Sequence, residues 1–263
     1  MNIPLKSLIM LVVSLTYAWL PMQAPAQAEG PTAGEALEIM QRVDNRPIPE
    51  DQQLTMTMKL INRQGKTLER TLRVKKQGET KSFLRFTAPA DVENTAFLNI
   101  STDSGDDEMY LYMPALNRVR RIAASTKHQN FMGSDFTYDD MGDRDIHDYT
   151  YTLLSRDATL DGNPTYVITG DAKKPAETGY SRLKFRIRKD HYLPVKIEYY
   201  DRRGDLLKIQ TNGEFQQIDS YRIATRIEMR NVQTNHKTIL TMEDIRVDTG
   251  LPEMTWTKRN LRR

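Results

Sequence analysis

"LTMTMKLINRQGKTLERTLRV", residues 54–74, is the stretch that decides the fold. Leu54, Met56, Met58 and Leu60 alternate with Thr55, Thr57 and Lys59. Beyond the turn Asn62-Arg63-Gln64-Gly65-Lys66 the alternation resumes at Leu68, Arg70, Leu72 and Val74. A period of two puts alternate side chains on one face of a strand, so the stretch reads as a β-hairpin with one apolar face. The same pattern returns at 81–87, 95–101, 108–113, 117–122, 149–155, 164–171, 181–189, 193–200, 206–212, 222–232 and 237–247. Turn formers such as Asp103-Ser104-Gly105-Asp106, Asp161-Gly162-Asn163 and Asp201-Arg202-Arg203-Gly204 separate most of these runs.

Sequential strands with short connections predict a mainly β architecture, an antiparallel meander curved toward a barrel. One amphipathic helix, 33–45, opens it. Thr32-Ala33-Gly34-Glu35 forms a capping-box pattern, Ala36, Leu37, Met40 and Val43 follow at helical spacing, and Pro47 and Pro49 end the helix. The long interruption is 123–148, where Ser134 or Asp135 is placed to cap a short helix stopping at Gly142, a candidate lid or edge plug.

The first 28 residues differ from the rest. Lys6, an apolar run from Leu8 to Leu20 and the small-residue site Ala26-Gln27-Ala28 match a cleavable secretory signal peptide. The apolar run falls short of the roughly 20 residues that span a bilayer. Residues 29–263 then form a single domain. The chain has no cysteine, which excludes a lipidated N-terminus and a disulfide framework, and a periplasmic location fits best. Without Lys6 the formal net charge of +3 becomes +2, which gives no push toward nucleic acid.

Chemistry-bearing motifs are sparse. The four histidines are scattered, and the Asp145, His147, Asp148 group reads as a solvated loop, so no metal or cofactor is expected. Ser134 follows Gly133, but Phe136 stands where a nucleophile elbow needs its last glycine. An enzyme is not expected. Methionine stands out instead: Met56, Met58, Met109, Met113, Met229 and Met242 occupy strands where branched residues pair better. Its flexible, polarizable side chain suits either core filling or a deformable wall for acyl chains.

In "MYLYMPALNRVRRI", residues 109–122, Met109, Leu111 and Met113 face one way and Tyr110 and Tyr112 the other, before Pro114 begins a turn. Arg118, Arg120 and Arg121 follow, suited to salt bridges with nearby aspartates or to capture of an anionic headgroup.

The run from Tyr112 to Ile122, together with Phe131-Met132-Gly133-Ser134-Asp135-Phe136-Thr137-Tyr138-Asp139-Asp140, resembles the signature of the LolA-like outer membrane lipoprotein-sorting protein family. Within it, the run is most similar to the branch that accompanies RND-superfamily, MmpL-like exporters. The resemblance implies an unclosed half β-barrel with an N-terminal helix and a short helical lid over its concave apolar face. It also implies a cargo of lipid or lipoprotein acyl chains, an inner-membrane RND-type exporter as partner and an outer-membrane acceptor. On that basis the cavity is expected to involve Met56, Met58, Leu60, Leu72, Leu84, Phe86, Leu98, Met109, Leu111, Met113, Phe131, Met132 and Phe136. Arg118, Arg120 and Arg121 are the headgroup or lid-locking candidates. The alternative is a non-transport interaction or lipoprotein-sensing regulatory domain.

Overall fold

The computed structural model describes residues 33–102, 107–142 and 144–263. The expected signal peptide, Thr32 of the capping box and the 103–106 turn lie outside them. Helix α1, Ala33–Asp44, is followed by strands β1 (Asp51–Ile61), β2 (Thr67–Gln77), β3 (Lys81–Ala88), β4 (Ala96–Ile100), β5 (Glu108–Met113) and β6 (Arg118–Arg121). After the interruption come β7 (Tyr149–Leu160), β8 (Asn163–Ala172), the one-turn helix α2 (Pro175–Thr178), β9 (Arg182–Arg188), β10 (Pro194–Tyr200), β11 (Leu206–Ile218), β12 (Tyr221–Asn231) and β13 (His236–Val247).

All thirteen strands join one antiparallel sheet in the order β6-β5-β4-β3-β2-β1-β13-β12-β11-β10-β9-β8-β7. The first and last strands pair with each other, Met56 opposite Met242 and Met58 opposite Leu240. The break in the meander therefore falls between β6 and β7, consecutive in sequence but at opposite edges of the sheet. The half-barrel is unclosed, and residues 122–148 have to cross from one edge to the other.

Two strands outrun their alternation. β7 continues past Ser155 to Leu160 through two register shifts against β8, and β11 continues past Asn212 to Ile218 with Glu214 at φ 51°. In β7 the extra residues at these shifts flip the side-chain parity, so a period-two count stops there while the hydrogen-bonded ladder does not. β11 keeps one register with β12 to its end, and its count stops because Glu214, Gln216 and Gln217 surround Phe215 with polar side chains.

The inner face carries α1. Ala36, Ile39, Met40 and Val43 are buried in one core with Leu54, Met56, Met58 and Leu72. Arg156 Nε donates to Glu35 Oε1 at 2.7 Å, and Arg46 pairs with Glu79 at 2.6 Å, tying the helix exit to the β2–β3 turn. The outer face has a smaller core over β3–β5, where Trp256 and Leu261 of the C-terminal segment cover Phe83, Ala96, Leu98, Tyr110 and Tyr112. Asp51 anchors that segment by accepting from the backbone N–H groups of Thr249 (3.0 Å), Gly250 (2.7 Å) and Leu251 (3.0 Å).

Between β6 and β7 the described backbone forms four 3-10 turns and no α-helix. In place of the expected short helix, Thr137 forms an antiparallel bridge with Asn130 and only a single 3-10 turn, Asp139–Met141, leads into Gly142. The capping groups are also occupied elsewhere: Ser134 Oγ donates to the Phe131 carbonyl at 2.7 Å.

Candidate functional site

Described residues of the 122–148 segment pack into the inner core, and an apolar cavity lies beside them. Phe131 is fully buried, its ring 5.2 Å from Phe97, 5.5 Å from Tyr138 and 6.2 Å from Phe86. Arg70, on β2, donates from Nη1 to the Met132 carbonyl, and its guanidinium lies 5.9 Å from the Phe86 ring centroid. Burial holds that guanidinium below its ordinary pKa.

The second half of the signature is tied to the middle of the sheet. Asp135 Oδ2 accepts from the Thr238 hydroxyl at 2.8 Å and lies 2.7 Å from His236 Nδ1, both on β13. Lys208, on β11, is buried. Its Nζ pairs with Asp140 Oδ2 at 2.5 Å, donates to the Asp135 carbonyl at 3.1 Å, and sits 5.1 Å from the ring centroids of both Tyr180 and Tyr199. Tyr180 donates its hydroxyl to Asp140 Oδ1 at 3.0 Å. Burial alone would raise the Asp140 carboxyl, but the Lys208 ammonium, the Thr137 N–H and Arg144 together outweigh it and hold the carboxyl below the ordinary range. Burial pushes the Tyr199 phenol up to about 12. The buried charges are paired and hydrogen-bonded, the condition under which an interior tolerates them.

Beside this strap lies a cavity of about 500 Å³, within the roughly 300–1,000 Å³ typical of small-molecule sites. Met40 and Val43 of α1 form one wall, and Leu54, Met56, Val74 and Leu84 another. Phe185, Ile197, Phe215, Ile223, Ile227, Leu240 and Met242 complete it, with Phe136, Met141 and Ile146 from the strap. Several of these, including Phe215, Ile223, Ile227 and Met242, are only half-buried. A polar cluster of Asp44, Arg46, Lys76 and Glu79 also borders the cavity. Asp44 is raised by burial and by neighbouring Glu79.

The expected cavity residues divide three ways. Met56, Leu84 and Phe136 line the open cavity. Met58, Leu60, Leu72, Phe86, Met109, Leu111 and Phe131 are buried in the inner core, with Met113 and Met132 packed partly buried against it, where the strap occupies the concave face. Leu98 lies on the outer face under the C-terminal segment; both faces of β4 are covered, so its pattern carries no alternation. Arg118 and Arg120 sit opposite Met113 and Leu111, whereas Arg121 sits opposite Tyr110 on the outer side. All three are exposed on the edge strand, and none forms an ion pair with a described residue, including the aspartates considered as partners. The arginine that clasps the first half of the strap is Arg70, hidden in sequence among the charges that alternate along β2.

The remaining motifs have structural roles. Asp145 Oδ1 accepts from the His147 backbone N–H at 2.7 Å and caps a turn. Ser134 is buried and spends its hydroxyl on backbone. Among the described residues no group of three or more His, Cys, Asp or Glu side chains is disposed to hold a metal ion, and no helix is long and apolar enough to cross a membrane.

A half-barrel with an inner helix, an edge-to-edge strap and a partly open apolar cavity defines the class of LolA-like folds. A crystal structure from Vibrio parahaemolyticus assigned to the outer membrane lipoprotein-sorting protein domains is 36% identical, matches 88% of this chain and 100% of its own, and superposes with a TM-score of 0.82. A DUF1329 family protein from Desulfovibrio piger is 28% identical over 87% of this chain and 98% of its own, with a TM-score of 0.83. A LolA superfamily protein from Nitrosomonas europaea shares the fold at 21% identity over 86% of this chain and 98% of its own, with a TM-score of 0.68. A family model described as an uncharacterized protein matches residues 78–263. No curated protein matches the chain. The chain belongs to the outer membrane lipoprotein-sorting protein family of LolA-like fold.

Proposed function

We propose that this protein is a periplasmic carrier that shields a lipid, the acyl chains of a lipoprotein or a similar hydrophobic cargo while it passes between the inner and outer membranes. The observation that carries this reading is the half-buried apolar wall of the cavity. Phe215, Ile223, Ile227 and Met242 line about 500 Å³ of space and stay half-buried. Apolar side chains left partly bare around a cavity favour an apolar occupant, and each methylene taken up contributes roughly 0.8 kcal/mol. The polar cluster of Arg46, Lys76, Asp44 and Glu79 gives a headgroup somewhere to rest while the chain lies against the wall.

On this reading residues 1–28 direct export and are removed, and 29–263 is the working domain, with 122–148 as its strap. An RND-type exporter in the inner membrane supplies the cargo and an outer-membrane acceptor receives it; the support here is the likeness of the Tyr112–Asp140 signature to the exporter-associated branch.

The test is titration with an environment-sensitive fluorescent fatty acid. Ile223→Asp places a charge on the wall and is expected to weaken binding at least tenfold, while Ile223→Val leaves it nearly unchanged. Equal binding by a folded Ile223→Asp variant would place the cargo elsewhere.

A further inference from the structure

The outer face carries a second concavity, of about 520 Å³, lined by Tyr110, Val119, Arg121, Lys258, Arg259 and Arg262. Four of these six are cations. None of the four forms an ion pair or hydrogen bond through its side chain with a described residue, whereas Lys and Arg side chains elsewhere among the described residues are paired with acids, from Arg46–Glu79 to Lys237–Glu228. Lys258 Nζ lies 4.1 Å from the Tyr110 ring centroid. Like charges gathered without counter-charges repel one another, so the cluster costs the fold energy that an external anion would recover.

The cluster is held in place rather than trailing from a loose tail. Trp256 and Leu261 are buried, and Arg85 Nη2 donates to the Asn260 carbonyl at 2.7 Å, pinning the turn that presents Arg259 and Arg262. Next to it, the turn from β5 to β6 exposes Leu116, 64% accessible, just before the edge strand that supplies Val119 and Arg121.

We propose that this outer patch docks on the surface of a bilayer that bears anionic phospholipid headgroups. Charge complementarity selects the occupant. Four fixed cations spread around a broad concavity match a layer of many phosphates, and four to eight clustered Lys and Arg suffice for such binding. The bare Leu116 adds the apolar component that a purely electrostatic attraction lacks. The nearest acid on β5, Glu108, is engaged by the Tyr110 hydroxyl at 3.0 Å and pairs with none of the four cations. The patch stands apart from the cavity and does not depend on what the cavity holds.

The test is co-sedimentation with phosphatidylcholine vesicles made with and without phosphatidylglycerol. It uses the purified chain from residue 29 onward, which contains the whole compact unit Pro31–Arg263. The protein is expected to bind the phosphatidylglycerol vesicles alone and to be released by salt. The double variant Arg121→Gln/Arg262→Gln, exposed and so harmless to the fold, weakens binding roughly 30-fold at about one interfacial cation each. Arg63→Gln/Lys66→Gln, with the same change in net charge at the β1–β2 turn, leaves it unaltered. No binding by the parent chain overturns the proposal, as does equal binding by both double variants. A patch variant that keeps its vesicles but loses an acidic protein partner overturns it too, in favour of a protein interface.

Discussion

Lys208 and Asp140 form an ion pair at 2.5 Å with their side chains 2% and 4% accessible, joining the strap to a strand near the middle of the sheet. Breaking a buried pair by removing one partner leaves the other charge unpaired and costs about 3–5 kcal/mol. Lys208→Met and Asp140→Leu are each expected to lower unfolding stability by that amount in urea melts. The double variant is expected to recover a large part of it. Additive losses would show that the two residues do not act as a pair.

Arg70 is expected to set the local stability of the strap. A hydrogen bond to a charged donor contributes about 1.5–3 kcal/mol, so Arg70→Met speeds amide exchange at 129–138 by roughly 10- to 100-fold. Exchange in the β11–β13 ladders changes little. Uniform acceleration across the sheet would mean that Arg70 supports the whole fold rather than the strap.

Acid should weaken the protein through Asp51 and Asp140. Burial opposes ionisation of Asp51, but the N–H groups of Leu251 and Thr249, the Thr249 hydroxyl and the Gly250 N–H outweigh it and hold the carboxyl below its ordinary value; Lys208, the Thr137 N–H and Arg144 do the same for Asp140. Folded values below the unfolded value of about 3.9 mean that the unfolded chain takes up protons first. The stability these groups contribute is complete above about 3.9 and is lost as pH falls through their folded values. Asp51→Asn is expected to lower stability at neutral pH and to flatten the acid limb of a denaturation series. An unchanged acid limb would remove Asp51 from the account.

Much of the fold was legible in the hairpins because one-sided burial imposes a period of two, as at Leu54 to Leu60. The position of the break was not. Nothing local records that β1 pairs with β13, so the role of 122–148 as an edge-to-edge strap appears only in three dimensions. Leu98 was assigned to the cavity because β4, covered on both faces, has no polar side to set its parity. The second wall, from Phe215 to Ile227, was hidden by polar neighbours such as Gln210, Asn212, Gln216 and Gln217. Lys208 and Arg70 carried no signal, since a charged residue within a strand reads as solvent-facing until a partner from a distant segment arrives.

Native mass spectrometry of the exported protein, purified from periplasm without detergent and analysed again after organic extraction, tests the carrier reading most directly. The account predicts a stoichiometric adduct with the mass of a lipid or lipopeptide, released by extraction and absent from Ile223→Asp. A clean apo mass for the parent protein, with no adduct on exposure to membrane lipids, would contradict it.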